Sequence, residues 1–100
     1  MEFRMSGLAA EQYATVKSKS ESDGLSRFIC DELLRILDAL QEDPSQGWLS
    51  RLRNMHDIPG VFGVLIGTPT GVPGDVVVWW TYDEPTDTVR VVDITLDYRN

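Results

Sequence analysis

The sequence predicts an α+β domain with the element order β-α-α-β-β-β, in which a small antiparallel sheet packs against two N-terminal helices. Apolar residues recur at helical spacing through the first half of the chain, and three β-type runs separated by turn residues occupy the second half. The chain has 100 residues, of which 42% are hydrophobic. That is enough for one packed domain over residues 1–100.

The N-terminal segment predicts a strand followed by a surface helix. Residues 2–5 alternate polar and apolar side chains, which is typical of a short strand, and we expect this strand to pair with the edge of the sheet. Ser6 is a suitable N-cap for a helix over residues 8–17. The apolar stripe of this helix is thin and consists of Ala9, Tyr13 and Val16.

The second helix has the strongest pattern in the sequence. Asp23 is a suitable N-cap, and Pro44 ends the helix because proline lacks the N–H that a helical hydrogen bond needs. Cys30 lies within the apolar pattern and is the only cysteine, so an internal disulfide is excluded and a buried side chain is expected. The apolar positions at helical spacing are Phe28, Ile29, Leu33, Ile36, Leu37 and Leu40.

The helical periodicity ends after Pro44. Residues 45–60 are expected to be irregular, with apolar anchors at Trp48, Leu49 and Leu52. Beyond them come three β-type runs, at residues 61–66, 76–82 and 88–96. Short turn-rich segments join these runs, which predicts an antiparallel meander covered by the apolar face of the second helix.

Side-chain alternation predicts which strand residues share a face. Trp79 and Trp80 are adjacent in a strand and therefore point to opposite faces. One is expected in the core, and the other either packs under a cover or marks an interface. On the last strand, one face is expected to hold Arg90, Val92, Ile94 and Leu96. The other face is expected to hold Val89, Val91, Asp93 and Thr95.

Composition excludes several classes of protein. No apolar run approaches the roughly 20 residues of a membrane span, and no apolar h-region follows the first residues, so a cytoplasmic location with no membrane partner is expected. One His and one Cys cannot form a Cys/His zinc site. Asp93 and Asp97 would lie about 13 Å apart on a strand, too far to share a metal ion, so no metal site is expected.

Five segments follow one another in a characteristic order along the chain. They are LLRILDAL at 33–40, Asp43-Pro44, SRLRNMHD at 50–57, VVVWWTY at 76–82 and VRVVDI at 89–94. In this order they resemble the RelE/ParE superfamily, the toxins of toxin–antitoxin systems. The last two segments are similar to the final hairpin of that family.

This resemblance implies a small cytoplasmic toxin, without a cofactor, that is held inactive by an antitoxin wrapped around it. In the ribonuclease branch, a 2′-OH attacks the adjacent phosphate of mRNA, which needs a base, an acid and cations beside the phosphorane. That branch supplies them from Lys, Arg, His and Tyr on the sheet and near the C-terminus. The gyrase-directed action of the ParE branch needs no such set.

The charge distribution separates these two activities. The net charge is −7. The first 53 residues hold seven cations and nine acids, a net charge of −2, whereas the remainder holds two cations and seven acids, a net charge of −5. Phosphate-binding proteins need cations, so RNA and the ribosome are disfavoured as partners. A cognate antitoxin or another protein partner is expected, and if the chain is an enzyme, the resemblance implies an RNA endonuclease with an incomplete basic set.

Eight residues are candidates for a functional site. The catalytic candidates that the resemblance indicates are Arg90, Tyr98 and Arg99. The binding candidates are Arg51, Arg53, His56, Trp79 and Trp80. Arg90 has a structural alternative, a cross-strand pair with an acid such as Asp75. A non-catalytic module on the same scaffold, which binds a basic protein through an exposed Trp and the acidic sheet, is the alternative function.

Overall fold

Two helices and five strands form the described part of the protein. The computed structural model describes the backbone of residues 1–50, 52–53, 60–66 and 74–98, and the side chains of residues 1–50, 60–65 and 76–97. The helices are α1 (Gly7–Lys19) and α2 (Gly24–Glu42), with a short 3-10 helix at Gly47–Ser50. The strands are β1 (Glu2–Met5), β2 (Leu52–Arg53), β3 (Val61–Ile66), β4 (Gly74–Asp83) and β5 (Thr88–Tyr98).

The strands form one sheet in the order β1-β5-β4-β3-β2. Strands β3, β4 and β5 pair antiparallel, as the meander predicts, while β1 lies at the edge and runs parallel to β5. The α+β class and the edge position of β1 are therefore confirmed, but the sheet is mixed. The expectation of an irregular segment at 45–60 was wrong in part, because the segment contains the 3-10 helix with the fully buried Leu49 and the two-residue strand β2.

The helices bury the faces that their sequence patterns predict. On α1, Ala9 and Val16 are fully buried and Tyr13 is half-buried. On α2, the buried apolar stripe includes Ile29, Leu33, Ile36, Leu37 and Leu40, and Cys30 is buried beside it. Within the described residues, no helix is long and apolar enough to cross a membrane.

Asp23 caps α2, as predicted. Its carboxylate accepts hydrogen bonds from the backbone N–H of Leu25, at 3.1 Å, and from the hydroxyl of Ser26, at 2.6 Å. The bond from the Ser26 hydroxyl is the largest of the effects that hold the pKa of Asp23 below its usual value. The cap therefore satisfies one orphan N–H at the start of the helix whose leucine stripe covers the sheet.

A β-bulge in β5 reverses the alternation of side chains along that strand. Trp79 is paired with Asp93 but Trp80 with Val91, so Val92 is an extra residue on the β5 side. Val89 and Val91 before the bulge, and Ile94 and Leu96 after it, therefore all pack on the helix side. The predicted faces of β5 were wrong because simple alternation assumes an uninterrupted ladder. Val92 instead lies on the other side of the sheet.

Ser6 and Gln12 supply hydrogen bonds to β5 just beyond Val91, where the pairing with β1 ends. The hydroxyl of Ser6 donates to the carbonyl of Val92, at 2.8 Å. The amide of Gln12 accepts from the N–H of Ile94, at 2.7 Å, and donates to the carboxylate of Asp93, at 2.9 Å. These bonds satisfy backbone groups that would otherwise be costly to bury, and they fix α1 against β5.

Ser6 has two structural roles, and its replacement tests both. Its hydroxyl also accepts from the N–H of Ala9, at 3.0 Å, which caps α1. We expect Ser6→Ala to lower the free energy of unfolding by about 1 kcal/mol, measured by urea denaturation. The control is Ser18→Ala at an exposed position of α1, with an expected change within about 0.5 kcal/mol. Equal effects of the two substitutions would contradict the role of Ser6.

The two sides of the sheet are packed very differently. The main core lies between the helices and one side of the sheet, where Val76, Val78 and Trp80 of β4 are buried. On the opposite side, here called the open face, the buried apolar cluster of the described part consists of Val61, Val77 and Trp79, with Val92 packed against them. Trp79 and Trp80 thus lie on opposite faces, as predicted, and their exposed fractions are only 8% and 3%.

Candidate functional site

A cavity lined by three aromatic side chains lies at the helix-covered side of the sheet, where α2 ends. Phe62 of β3 and Trp80 of β4 are paired in the sheet register, with ring centroids 5.0 Å apart. Tyr82 lies two residues beyond Trp80 and therefore on the same side of β4. The cavity has a volume of about 500 Å³, and Asp43 and Asp87 also line it. These five residues define what we call the aromatic pocket.

The aromatic rings contribute unequally to the surface of the pocket. Trp80 is 3% exposed, and its indole N–H donates to the carbonyl of Leu49, at 2.7 Å. It is therefore a fixed inner wall. Phe62 is half-buried, and Tyr82 is 41% exposed. The accessible ring surface of the pocket consequently belongs mainly to Tyr82 and Phe62.

Asp87 lies in the turn between β4 and β5 with a φ of 49°. Asp and Asn tolerate this left-handed conformation better than most residues. Its carboxylate accepts from the hydroxyl of Tyr82, at 2.6 Å, and lies 3.2 Å from the N-terminal ammonium of Met1. The hydrogen bond from Tyr82 is the largest effect that lowers the pKa of Asp87, and the bond from the ammonium group comes next. The hydrogen bond between Tyr82 and Asp87 also raises the pKa of the Tyr82 hydroxyl.

The second carboxylate of the pocket belongs to Asp43, which follows the last residue of α2. It accepts from both the hydroxyl of Ser45, at 2.6 Å, and the backbone N–H of Ser45, at 3.0 Å. These two bonds lower the pKa of Asp43. Both carboxylates of the pocket are therefore ionised at neutral pH. Negative charge beside accessible aromatic faces is an environment that attracts organic cations.

The lowered pKa of Asp87 predicts how stability depends on pH. A carboxyl group whose pKa is lowered by folding stabilises the protein above its unfolded-state pKa, about 3.9 for Asp. That contribution is lost as the pH falls through the lower folded-state pKa. We expect Asp87→Asn to destabilise the protein at about pH 6, and this destabilisation to diminish as the pH is lowered towards about pH 2. Urea denaturation across this range measures it, and a pH-independent difference would contradict the assignment.

A polar groove on the open face contains the catalytic candidate Arg90. Arg90 of β5 is paired with Arg4 of β1 in the parallel register, and the groove of about 350 Å³ is also lined by Glu2, Asp83 and three threonines. The guanidinium of Arg4 donates to Glu2, at 2.6 Å, and both side chains are more than half exposed. The two acids reduce the attraction of this groove for a phosphate or carboxylate.

The alternative partner expected for Arg90 was wrong. In the register of the sheet, Arg90 is paired with Thr81, whereas Asp75 is paired with Asp97. Six residues of strand separate Asp75 from Thr81, about 20 Å, so an ion pair between Arg90 and Asp75 is excluded. Arg90 is exposed and lies on the open face beside Arg4. Arg4 was not among the site residues predicted from the sequence.

The other predicted site residues lie wholly or partly outside the described part of the chain. Arg51, His56 and Arg99 lie outside the described residues. Arg53 and Tyr98 have a described backbone, in β2 and β5, but their side chains are not among those described. The backbone positions of Arg90 and Tyr98 are eight residues apart on one strand, about 26 Å. This separation does not support one site that contains both.

The described side chains also bear on metal binding. No group of three His, Cys, Asp or Glu residues that could hold a metal ion is found among residues 1–50, 60–65 and 76–97. Asp93, whose spacing from Asp97 is unsuitable for a shared metal ion, accepts a hydrogen bond from Gln12.

Comparisons with known proteins return no relative. No family model, no curated protein and no solved structure matches the chain.

Proposed function

We propose that the protein is the toxin component of a toxin–antitoxin system of the RelE/ParE kind and that it acts by binding protein rather than as a typical mRNA interferase. The element order supports the fold part of this proposal, because one edge strand and two helices precede an antiparallel meander. The functional part rests on one observation, the aromatic pocket with its two ionised carboxylates.

The aromatic pocket favours a protein partner over RNA. Asp43 and Asp87 would repel a phosphate backbone but attract basic side chains. Accessible aromatic surface beside charged groups is also typical of the residues that dominate protein interfaces. The charge of the sheet favours the same partner, because residues 60–98 contain Arg90 as their only cation and six acids. Cleavage by 2′-OH attack needs several cationic or proton-transferring groups together.

Expression of the chain alone in a bacterium tests the proposal. We expect growth to slow while total mRNA stays intact, because the target is bound and not cleaved. Growth rate, translation, DNA supercoiling and RNA integrity are measured together, which separates a gyrase-directed action from one on translation. Normal growth at high soluble expression, with translation and supercoiling unchanged, would contradict the toxin assignment.

The groove with Arg4 and Arg90 supports a second candidate, a ribosome-dependent ribonuclease with a divergent site. Two adjacent arginines on an exposed sheet face are able to contact phosphate. In this case mRNA would be cut in cells that express the chain, and Arg4→Ala/Arg90→Ala would abolish the cutting. Cleavage that persists in this double variant would exclude the groove as the site.

A non-catalytic module on the same scaffold remains the alternative function. The sequence favoured it through an exposed Trp on the sheet, but Trp79 and Trp80 are both buried. On this alternative, a basic protein would bind at the aromatic pocket and not at an exposed Trp. Normal growth together with specific capture of a protein from lysate of the native host would favour this alternative.

A further inference from the structure

The chemistry of the aromatic pocket indicates what kind of group it would bind. We propose that the aromatic pocket receives an arginine side chain from a basic segment of a protein partner. This inference deepens the proposed function, since it rests on a protein partner and names the group that the partner inserts. It does not depend on whether that partner is an antitoxin, a cellular target or another protein.

Charge complementarity indicates that the group bound in the pocket is positively charged. Asp43 and Asp87 both line the pocket, and the hydrogen bonds that each accepts lower its pKa. The ammonium group of Met1 lies 3.2 Å from Asp87 and partly offsets the charge of that carboxylate. The net charge of −7 adds a long-range attraction for a basic segment. An anionic occupant would be repelled by Asp43 and Asp87, and a neutral occupant would gain no attraction between opposite charges.

The aromatic walls favour arginine over lysine. A guanidinium is planar, is less strongly hydrated than an ammonium and stacks on aromatic rings while its N–H groups bind carboxylates. The protein already contains such a contact, since the guanidinium carbon of Arg35 lies 4.9 Å from the centroid of the Trp48 ring. In the aromatic pocket, Tyr82 and Phe62 provide the accessible ring surface, and the carboxylates provide acceptors.

The dimensions of the pocket suit a side chain that arrives on a polypeptide. A volume of about 500 Å³ falls in the range of pockets that enclose small ligands. It is larger than one arginine side chain needs, so room remains for the backbone on either side. The aliphatic part of the side chain can also pack on the rings while its charged end reaches the carboxylates.

A titration with two short peptides tests the pocket directly. The probes are acetylated, amidated Gly-Arg-Gly and the same peptide with citrulline, which keeps the shape of arginine but has no charge. Amide and indole NMR signals of the full chain are followed. We expect the arginine peptide to cause saturable chemical shift changes at Phe62, Trp80, Tyr82 and Asp87, with a dissociation constant in the millimolar range. The citrulline peptide is expected to bind at least about tenfold more weakly.

Matched variants separate the pocket from the overall charge. Asp43→Asn/Asp87→Asn removes both carboxylates, and asparagine tolerates the left-handed backbone of Asp87. Asp31→Asn/Asp38→Asn changes the net charge equally at exposed positions of α2. We expect the first pair to weaken binding of the arginine peptide about tenfold and the second to change it less than about twofold. Tyr82→Phe keeps the ring and the fold and should retain most of the binding.

The outcomes distinguish this inference from the proposed function. Equal shifts with both peptides, or equal losses in both double variants, would overturn the arginine pocket. Growth inhibition that is undiminished in Asp43→Asn/Asp87→Asn would overturn use of the pocket for the cellular target of the toxin, while the toxin proposal stands. Arginine-selective shifts in a chain with no effect on growth would support the pocket and contradict the toxin proposal.

Discussion

Replacement of Trp80 by alanine is expected to lower the free energy of unfolding by about 3–5 kcal/mol. Trp80 is 3% exposed and packs in the main core beside Phe62. Its indole N–H also donates to the carbonyl of Leu49, so the substitution leaves both a large cavity and a buried acceptor without that donor. Small domains are stable by about 5–15 kcal/mol in total. Urea denaturation followed by circular dichroism measures the loss.

Two further substitutions show which part of the loss comes from packing. Trp80→Phe keeps most of the ring volume but removes the indole donor, so we expect a loss of about 1–3 kcal/mol. Trp79→Ala is the matched control on the open face, where Trp79 packs in a much smaller cluster. We expect it to cost less than Trp80→Ala. A larger effect at Trp79 would mean that the open face contributes more to stability than the helix-covered core.

Gln12→Ala is expected to lower the free energy of unfolding by about 1–3 kcal/mol. The amide of Gln12 is the acceptor for the N–H of Ile94 and a donor to Asp93. Ile94 is fully buried, so alanine at position 12 leaves its N–H without this acceptor. The pairing of β5 with β1 ends at Val91, before Ile94. Urea denaturation gives the stability, and hydrogen exchange at Ile94 reports the local opening.

The control for this prediction is Gln41→Ala on the exposed side of α2. It removes the same side chain from a helix without touching the sheet, and we expect a change within about 0.5 kcal/mol. A Gln12→Ala variant as stable as Gln41→Ala, with unchanged exchange at Ile94, would show that water replaces the amide of Gln12.

The helices could be predicted from the sequence because local features determine them. The apolar spacing from Ile29 to Leu40 encodes the buried face of α2, and a capping residue at Asp23 marks its start. The strands were also predicted in number and order, apart from β2, because turn-rich segments bound each apolar run. Two residues are too few for β2 to produce a periodicity of its own.

The faces of β5 could not be predicted, because apolar residues occur there in both parities. Val91 and Val92 are adjacent, and either fits the core. The choice depends on the bulge, and the residues at the bulge bond to Ser6 and Gln12, more than 80 residues away along the chain. No local pattern carries that information.

The candidate site was predicted only in fragments. The alternation left open which of Trp79 and Trp80 is exposed, and in the structure Trp80 forms a buried wall of the aromatic pocket. Asp43 and Asp87 were not selected from the sequence as site residues, and only the folded chain brings them to one cavity. The sequence pointed to Arg4 only indirectly. If β1 pairs in parallel with β5, one of the polar residues of β1 must lie beside Arg90, and in the structure that residue is Arg4.

The parallel pairing of β1 with β5 has a consequence for synthesis in the cell. The hydrogen bond between Ser6 and Val92 spans 86 residues, so the edge of the sheet closes only after almost all of this segment has left the ribosome. Closing so long a loop is entropically costly and slows folding. Until then, the apolar side chains of Phe3 and Met5 have no sheet to cover them, and the nascent chain is most exposed to chaperones and to aggregation in that interval.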